Sequence, residues 1–141
     1  MAREILFRGR RKDNGEWVTG TPFIFEDRCK MIQAVAVHPD FVDEGNVYYS
    51  EGFPVDPETV GQYTGLTDKN GKRIFEGDII QKKYNDGVRN LFWLSWSDYY
   101  SSFMLMNNCG YENFPAMGFN LETEVIGNIH DNPELLNGTE S

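Results

Sequence analysis

Apolar positions along the chain come in short runs separated by turn-forming residues, the pattern of β-strands joined by tight connections. Ile5 to Arg8 and Trp17 to Thr19 flank Asp13-Asn14-Gly15, and Asn14-Gly15 is a strong hairpin signal, so this stretch predicts a first hairpin. Phe23 to Phe25 and Met31 to Val37 predict two further short strands, the second ended by His38-Pro39 because proline cannot continue a ladder. From Asp40 to Glu58 the composition shifts to Asp, Glu, Gly, Pro and Ser around Phe41-Val42 and Val47-Tyr48-Tyr49, which predicts a loop or a joint.

The run from Gly61 to Asp78 has the densest turn chemistry. Asp68-Lys69-Asn70-Gly71 places a side-chain acceptor, a residue tolerant of positive φ and a glycine in the order of a type I turn closed in the left-handed region. Val60-Gly61-Gln62-Tyr63 leads in, Ile74-Phe75 leaves, and Gly65 permits a kink. Gly77-Asp78-Ile79-Ile80 then turns the chain into a new strand. The structural residues of this tract are Gly61, Gly65, Asp68, Asn70, Gly71, Gly77 and Asp78.

Asp78 to Tyr84 and Val88 to Trp96 flank Asn85-Asp86-Gly87, a second strong turn. In the later strand Val88, Phe92, Leu94 and Trp96 share one face while Leu91 and Trp93 share the other, so both faces call for cover. Packing in the core accounts for Phe92, Trp93 and Trp96. Ser101 to Met106 and Leu121 to Ile126 complete the strands, separated by a loop containing Asn107-Asn108, Gly110, Pro115 and Gly118. Asp131-Asn132-Pro133 caps a short helical turn through Leu136, and 137–141 is a polar, frayed tail.

The expected fold is therefore mainly β: a small curled sheet or SH3-like barrel in the second half, N-terminal β-hairpins and a short C-terminal helical turn. A chain of 141 residues buries about 70% of its unfolded surface as one domain, 1–141, or divides into two β-subdomains at about 1–58 and 59–136. Aromatics at 14% favour such a strand-rich core over disorder. Apolar runs fall short of a membrane span, and Arg3, Glu4 and Arg8 stand where a secretory signal needs an apolar stretch, which predicts a cytoplasmic protein with no membrane partner. Cys29 and Cys109 lack partners at metal-ligand spacing and read as buried thiols, reduced in a bacterial cytoplasm.

Net charge is −9, which opposes non-specific attraction to phosphate. Local basic groups remain, chiefly Arg10, Arg11 and Lys12 before the first turn, and these carry the alternative of a small-barrel nucleic-acid binder. No phosphate loop, zinc-protease pair or nucleophile elbow is present, so the sequence predicts no catalytic residue, no metal site and no cofactor. His130 beside Asp131, or Asp68 with Glu76 and Asp78, would be needed for a metal-dependent hydrolase, a remote reading that turn and cap chemistry explains better. Aromatic density is the remaining feature. Trp96, Tyr99 and Tyr100 lie at or beyond the end of a strand, and such rings dominate interface hot spots.

The blocks Gly61 to Leu66, Asp68 to Gly71 and Ile74 to Ile79, together with the tail Val125 to Leu136 and the opening Arg3 to Arg8 with Trp17, resemble the YopX-like family of phage and prophage proteins. Phe25 to Val55 and Asp86 to Asn120 match less specifically. The resemblance implies a small β-rich, phage-encoded protein of a family with no established molecular activity, and supplies no catalytic residues to carry over. The expectation is a non-enzymatic protein-binding module in the bacterial host cell, recognising a host or phage protein and forming a homo-oligomer.

Overall fold

The computed structural model describes residues 5–25, 28–37, 48–83, 87, 89–108, 110–113 and 123–137, and the chain divides into two compact units, Met1–Gln62 and Tyr63–Ser141. Strands dominate both.

In the first unit β1 (Phe7–Arg10), β2 (Trp17–Phe25), β3 (Arg28–Val37) and β4 (Tyr48–Pro54) pair antiparallel in chain order. The first turn forms as its chemistry requires: Asn14 Oδ1 accepts from the Glu16 amide at 2.9 Å, and Gly15 takes a φ of 76°. β2 is longer than expected, because Trp17 to Thr19 and Phe23 to Phe25 are one continuous strand. Pro22 is tolerated inside it since, among the described residues, the β1 ladder stops at Phe7 opposite Gly20, leaving β2 paired with β3 beyond that point. Tyr48 to Pro54, where the sequence predicts a loop, is strand β4, paired with β3 from Met31↔Pro54 to Val37↔Tyr48. Ladder pairing overrides the low strand preference of its Ser-Glu-Gly-Phe-Pro composition. Residues 38–47, with His38 and Phe41-Val42, lie outside the described residues, as do Asn85-Asp86 and Cys109.

Asp56 then caps a 3-10 turn, Pro57–Thr59, by accepting from the Glu58 amide. Thr59 is buried, and its hydroxyl accepts from the Arg10 amide at 2.9 Å. Val55 is fully buried, and a Cβ on Gly9 would stand 3.0 Å from its side chain, so β1 needs glycine there. β5 (Gly61–Thr67) opens on β1, with Phe7↔Gln62 and Arg8↔Gly61, before its chain enters the second unit.

There β5 pairs with β6 (Arg73–Phe75) through the expected turn. The Gly71 amide donates to the Asp68 carbonyl at 3.0 Å, and Gly71 has a φ of 81°. The sheet beyond contains β7 (Asp78–Lys83), β8 (Arg89–Ser97), β9 (Ser102–Asn107), β10 (Gly110–Asn113) and β11 (Thr123–Asn128) in the order β10-β9-β8-β7-β11. Of the arrangements expected for the second half, a sheet is correct and a closed barrel is not: β10 and β11 are opposite edges. β10 falls where the sequence predicts a loop. Asn107 pairs with Gly110, so a two-residue connection returns the chain as a strand where turn-rich composition masked it.

One face of this sheet makes the core of the second unit: Ile80, Phe92, Leu94, Leu105 and Val125, closed by Ile74 with Leu66 and Phe103 beside it. Alternation along β8 thus holds for Phe92 and Leu94, whereas Trp96, at the end of the same face, is exposed. The C-terminal turn is α1 (Glu134–Asn137).

Candidate functional site

β8 ends at Ser97 and returns as β9 through Asp98, Tyr99, Tyr100 and Ser101, in register from Trp93↔Met106 to Ser97↔Ser102. The Tyr100 amide donates to Ser97 Oγ at 3.1 Å, bending the chain back on itself. Ser101 sits at φ 51°, the one non-glycine residue in the left-handed region among those described. A left-handed serine costs on the order of 1 kcal/mol. Tyr99 is 87% exposed and Tyr100 50%, with ring centroids 4.8 Å apart in an edge-to-face pair.

Trp96 is 45% exposed. It packs edge-on against Phe103 at 5.2 Å, and its indole Nε1 donates to Asp98 Oδ1 at 3.0 Å. Beside these rings a cavity of about 240 Å³ is lined by Ser95, Trp96, Ser97, Tyr100, Met104 and Met106. Met104 is 3% exposed, so the lining rests on a side chain fixed within the fold. Sequence reasoning found the three rings but missed the methionines and serines. Alternation of Met104 and Met106 along β9 was visible, yet only the register, with Ser95 opposite Met104, carries them to the same place.

The other residues singled out in the sequence have partners nearby in the fold. Arg11 Nε and Nη2 donate to the two oxygens of Asp13 at 3.0 and 2.6 Å, and its guanidinium lies 4.4 Å from the Phe53 ring centre. The fork from Arg11 holds the Asp13 carboxyl below its ordinary value. Arg10 and Lys12 use their amides on Thr59 Oγ1 and the Pro54 carbonyl. Within the basic tract the Arg11 side chain is engaged by its own chain, at Asp13 and Phe53.

Asp68 is 3% exposed. Burial opposes its ionisation, but the amides of Val125, Lys72 and Asn70 all donate to its carboxylate and, with the Lys72 charge, hold it below its ordinary value. Asp78 Oδ2 accepts from the Phe75 amide at 2.7 Å. Asp68 reaches β11 at Val125, whereas Asp78 faces Asn128 three positions along, about 10 Å away by strand rise, so the two carboxylates serve separate turns. Gly77, at φ 91°, donates to the Leu94 carbonyl and accepts from the Ile129 amide. Among the described residues no group of His, Cys, Asp and Glu is placed to hold a metal ion.

At the other candidate, the anchor is Asn128, upstream of the His130-Asp131 pair. Its Oδ1 accepts from the amides of both His130 and Asp131, and its Nδ2 donates to Asp131 Oδ2. Asn132, expected to cap the helix, turns its side-chain oxygen back to accept from the Asn128 amide.

A sequence profile described as YopX protein matches residues 6–137. The chain belongs to the YopX family. Among solved structures, the crystal structure of protein EF1440 from Enterococcus faecalis is similar, with a TM-score of 0.60 and 24% identity over 96% of this YopX-family chain and 99% of that one. That likeness carries the fold. Curated protein sequences give no match. No helix among the described residues is long and apolar enough to cross a membrane.

Proposed function

We propose that this YopX-family chain is a non-enzymatic accessory protein of a bacteriophage or prophage, acting in the bacterial cytoplasm by binding another protein through Trp96, Tyr99 and Tyr100. The observation that carries this reading is the turn after β8. Two tyrosines and a tryptophan stand exposed together, on a backbone held in a costly conformation, beside a cavity between side chains fixed by the sheet. Rings of this kind offer large contact area with few rotatable bonds, which makes them efficient anchors.

The alternative, a nucleic-acid surface on Arg10, Arg11 and Lys12, gains less support. Net charge is −9, and Arg11 is already engaged by Asp13 and Phe53.

The test is a photo-crosslinking amino acid at Tyr99, expressed in a bacterial host, with adducts identified by mass spectrometry. One protein adduct, lost when Tyr100→Ala is added, is the expected result. A dimer adduct would name a second copy as the partner. Adducts that disappear on nuclease treatment, or none that depend on Tyr100, would end the protein-binding reading.

A further inference from the structure

An asparagine followed by glycine can react with its own backbone, because glycine has no Cβ to shield its nitrogen from the preceding side chain. The chain holds three such dipeptides, at 14–15, 70–71 and 137–138, the last running beyond the described residues. The first two are exposed, and both lie in turns with the glycine at positive φ, 76° at Gly15 and 81° at Gly71. Each glycine amide donates to a backbone carbonyl at 3.0 Å, Gly15 to Arg11 and Gly71 to Asp68. In dipeptide and backbone the two are alike.

Their side chains are held differently. Asn14 Oδ1 accepts from the Glu16 amide at 2.9 Å, and Asn14 Nδ2 donates to Glu16 Oε2 at 3.3 Å. A donor on the carbonyl oxygen draws electron density from Cγ and stabilises the negative charge that this oxygen acquires when a nucleophile adds to the carbon. Asn70 Nδ2 instead reaches Glu124 Oε2 on β11 at 3.4 Å, and among the described residues its Oδ1 accepts no backbone amide. The second turn is also clamped. Asp68 accepts from the amides of Asn70, Lys72 and Val125, and the Lys69 amide donates to the Thr123 carbonyl. Releasing the Gly71 amide therefore opens a turn tied to another strand, whereas the bonds of Asn14 and Gly15 stay within 11–16.

We propose that Asn14 is a self-modification site, deamidated by attack of the Gly15 backbone nitrogen on Asn14 Cγ. Gly15 N gives its proton to water and bonds to Cγ; the Cγ–Nδ2 bond breaks, and Nδ2 takes up a proton and leaves as ammonia. The cyclic imide so formed adds water and opens at either carbonyl, to aspartate or to isoaspartate. Nothing is oxidised or reduced, and water is the one co-reactant. Aspartate at 14 sets a carboxylate oxygen against Glu16 Oε2, where the amide had donated, and isoaspartate lengthens the main chain of the turn. Either product loosens the β1–β2 hairpin at its Arg10↔Trp17 end.

The test keeps the full chain folded at mildly alkaline pH and physiological temperature, beside a parallel sample in urea. Peptide mass spectrometry follows the amide-to-carboxyl mass change at Asn14 and at Asn70. In the folded chain Asn14 should react at least roughly fivefold faster than Asn70, and in urea, which leaves only the shared dipeptide, the rates should agree within about twofold. Gly15→Ala, which shields the attacking nitrogen, should slow position 14 at least roughly fivefold and leave Asn70 unchanged. Equal rates in the folded chain, a faster Asn70, or a difference that persists in urea overturns the proposal. So does a position 14 that reacts unslowed in Gly15→Ala.

Discussion

The carboxylate of Asp68 accepts a hydrogen bond from the backbone amide of Val125, 57 residues later, at 2.9 Å. The same side chain accepts from the amides of Asn70 and Lys72 through its other oxygen. One residue therefore closes the β5–β6 turn and clips it to β11, whose Thr123 carbonyl also accepts from the Lys69 amide. That contact covers part of a sheet edge that would otherwise offer free backbone groups.

Asp68→Asn keeps the size but turns one acceptor into a donor facing backbone N–H groups. Its expected cost is about 1.5–3 kcal/mol, the range for hydrogen bonds to a charged group, read as a lower urea midpoint with unchanged slope. An unchanged midpoint would mean that the clip contributes nothing.

The same carboxyl predicts a pH dependence. Its folded value is lowered, so the unfolded chain binds the proton more readily. The stabilisation is present above the unfolded value of about 3.9 and is lost as pH falls through the folded value. Denaturation at pH 7 and pH 3 should show a smaller acid-induced loss for Asp68→Asn than for the parent.

Gly127→Ala should destabilise by about 1–3 kcal/mol, the usual cost of overpacking, because the added Cβ would stand 2.6 Å from Asn132 Oδ1. The double variant with Asn132→Ala should lose less than the sum, since the obstructing atom is gone. Thermal melts of the three variants decide it.

Phe92→Ala removes the largest fully buried side chain among the described residues and should cost about 3–5 kcal/mol. Tyr99→Ala, at a side chain 87% exposed, should change stability by less than about 0.5 kcal/mol. If Tyr99→Ala with Tyr100→Ala lowers the melting temperature as Phe92→Ala does, those rings belong to the core and the binding surface lies elsewhere.

Local chemistry makes much of this fold readable in advance. Asn14-Gly15 and Asp68 to Gly71 form the turns expected of them because glycine at positive φ and a side-chain acceptor two residues away are properties of a few consecutive residues. Phe92 and Leu94 face the core because a strand alternates. β4 and β10 are not readable in this way. Their compositions read as loop, and their ladders come from distant or turn-masked partners.

The sequence by itself determined the family, the β class, the hairpin turns and the three aromatic residues of the candidate site. Tertiary structure decided what the polar and apolar neighbours of those residues do. Asp68 became a clip because β11 comes within reach of its turn. Trp96 stayed on the core face but beyond the reach of its cover, and Met104 and Met106 joined Ser95 in lining the cavity, because the β8–β9 register sets which side chains meet. Register is a relation between strands, fixed by pairing and burial together, and no local run of residues contains it.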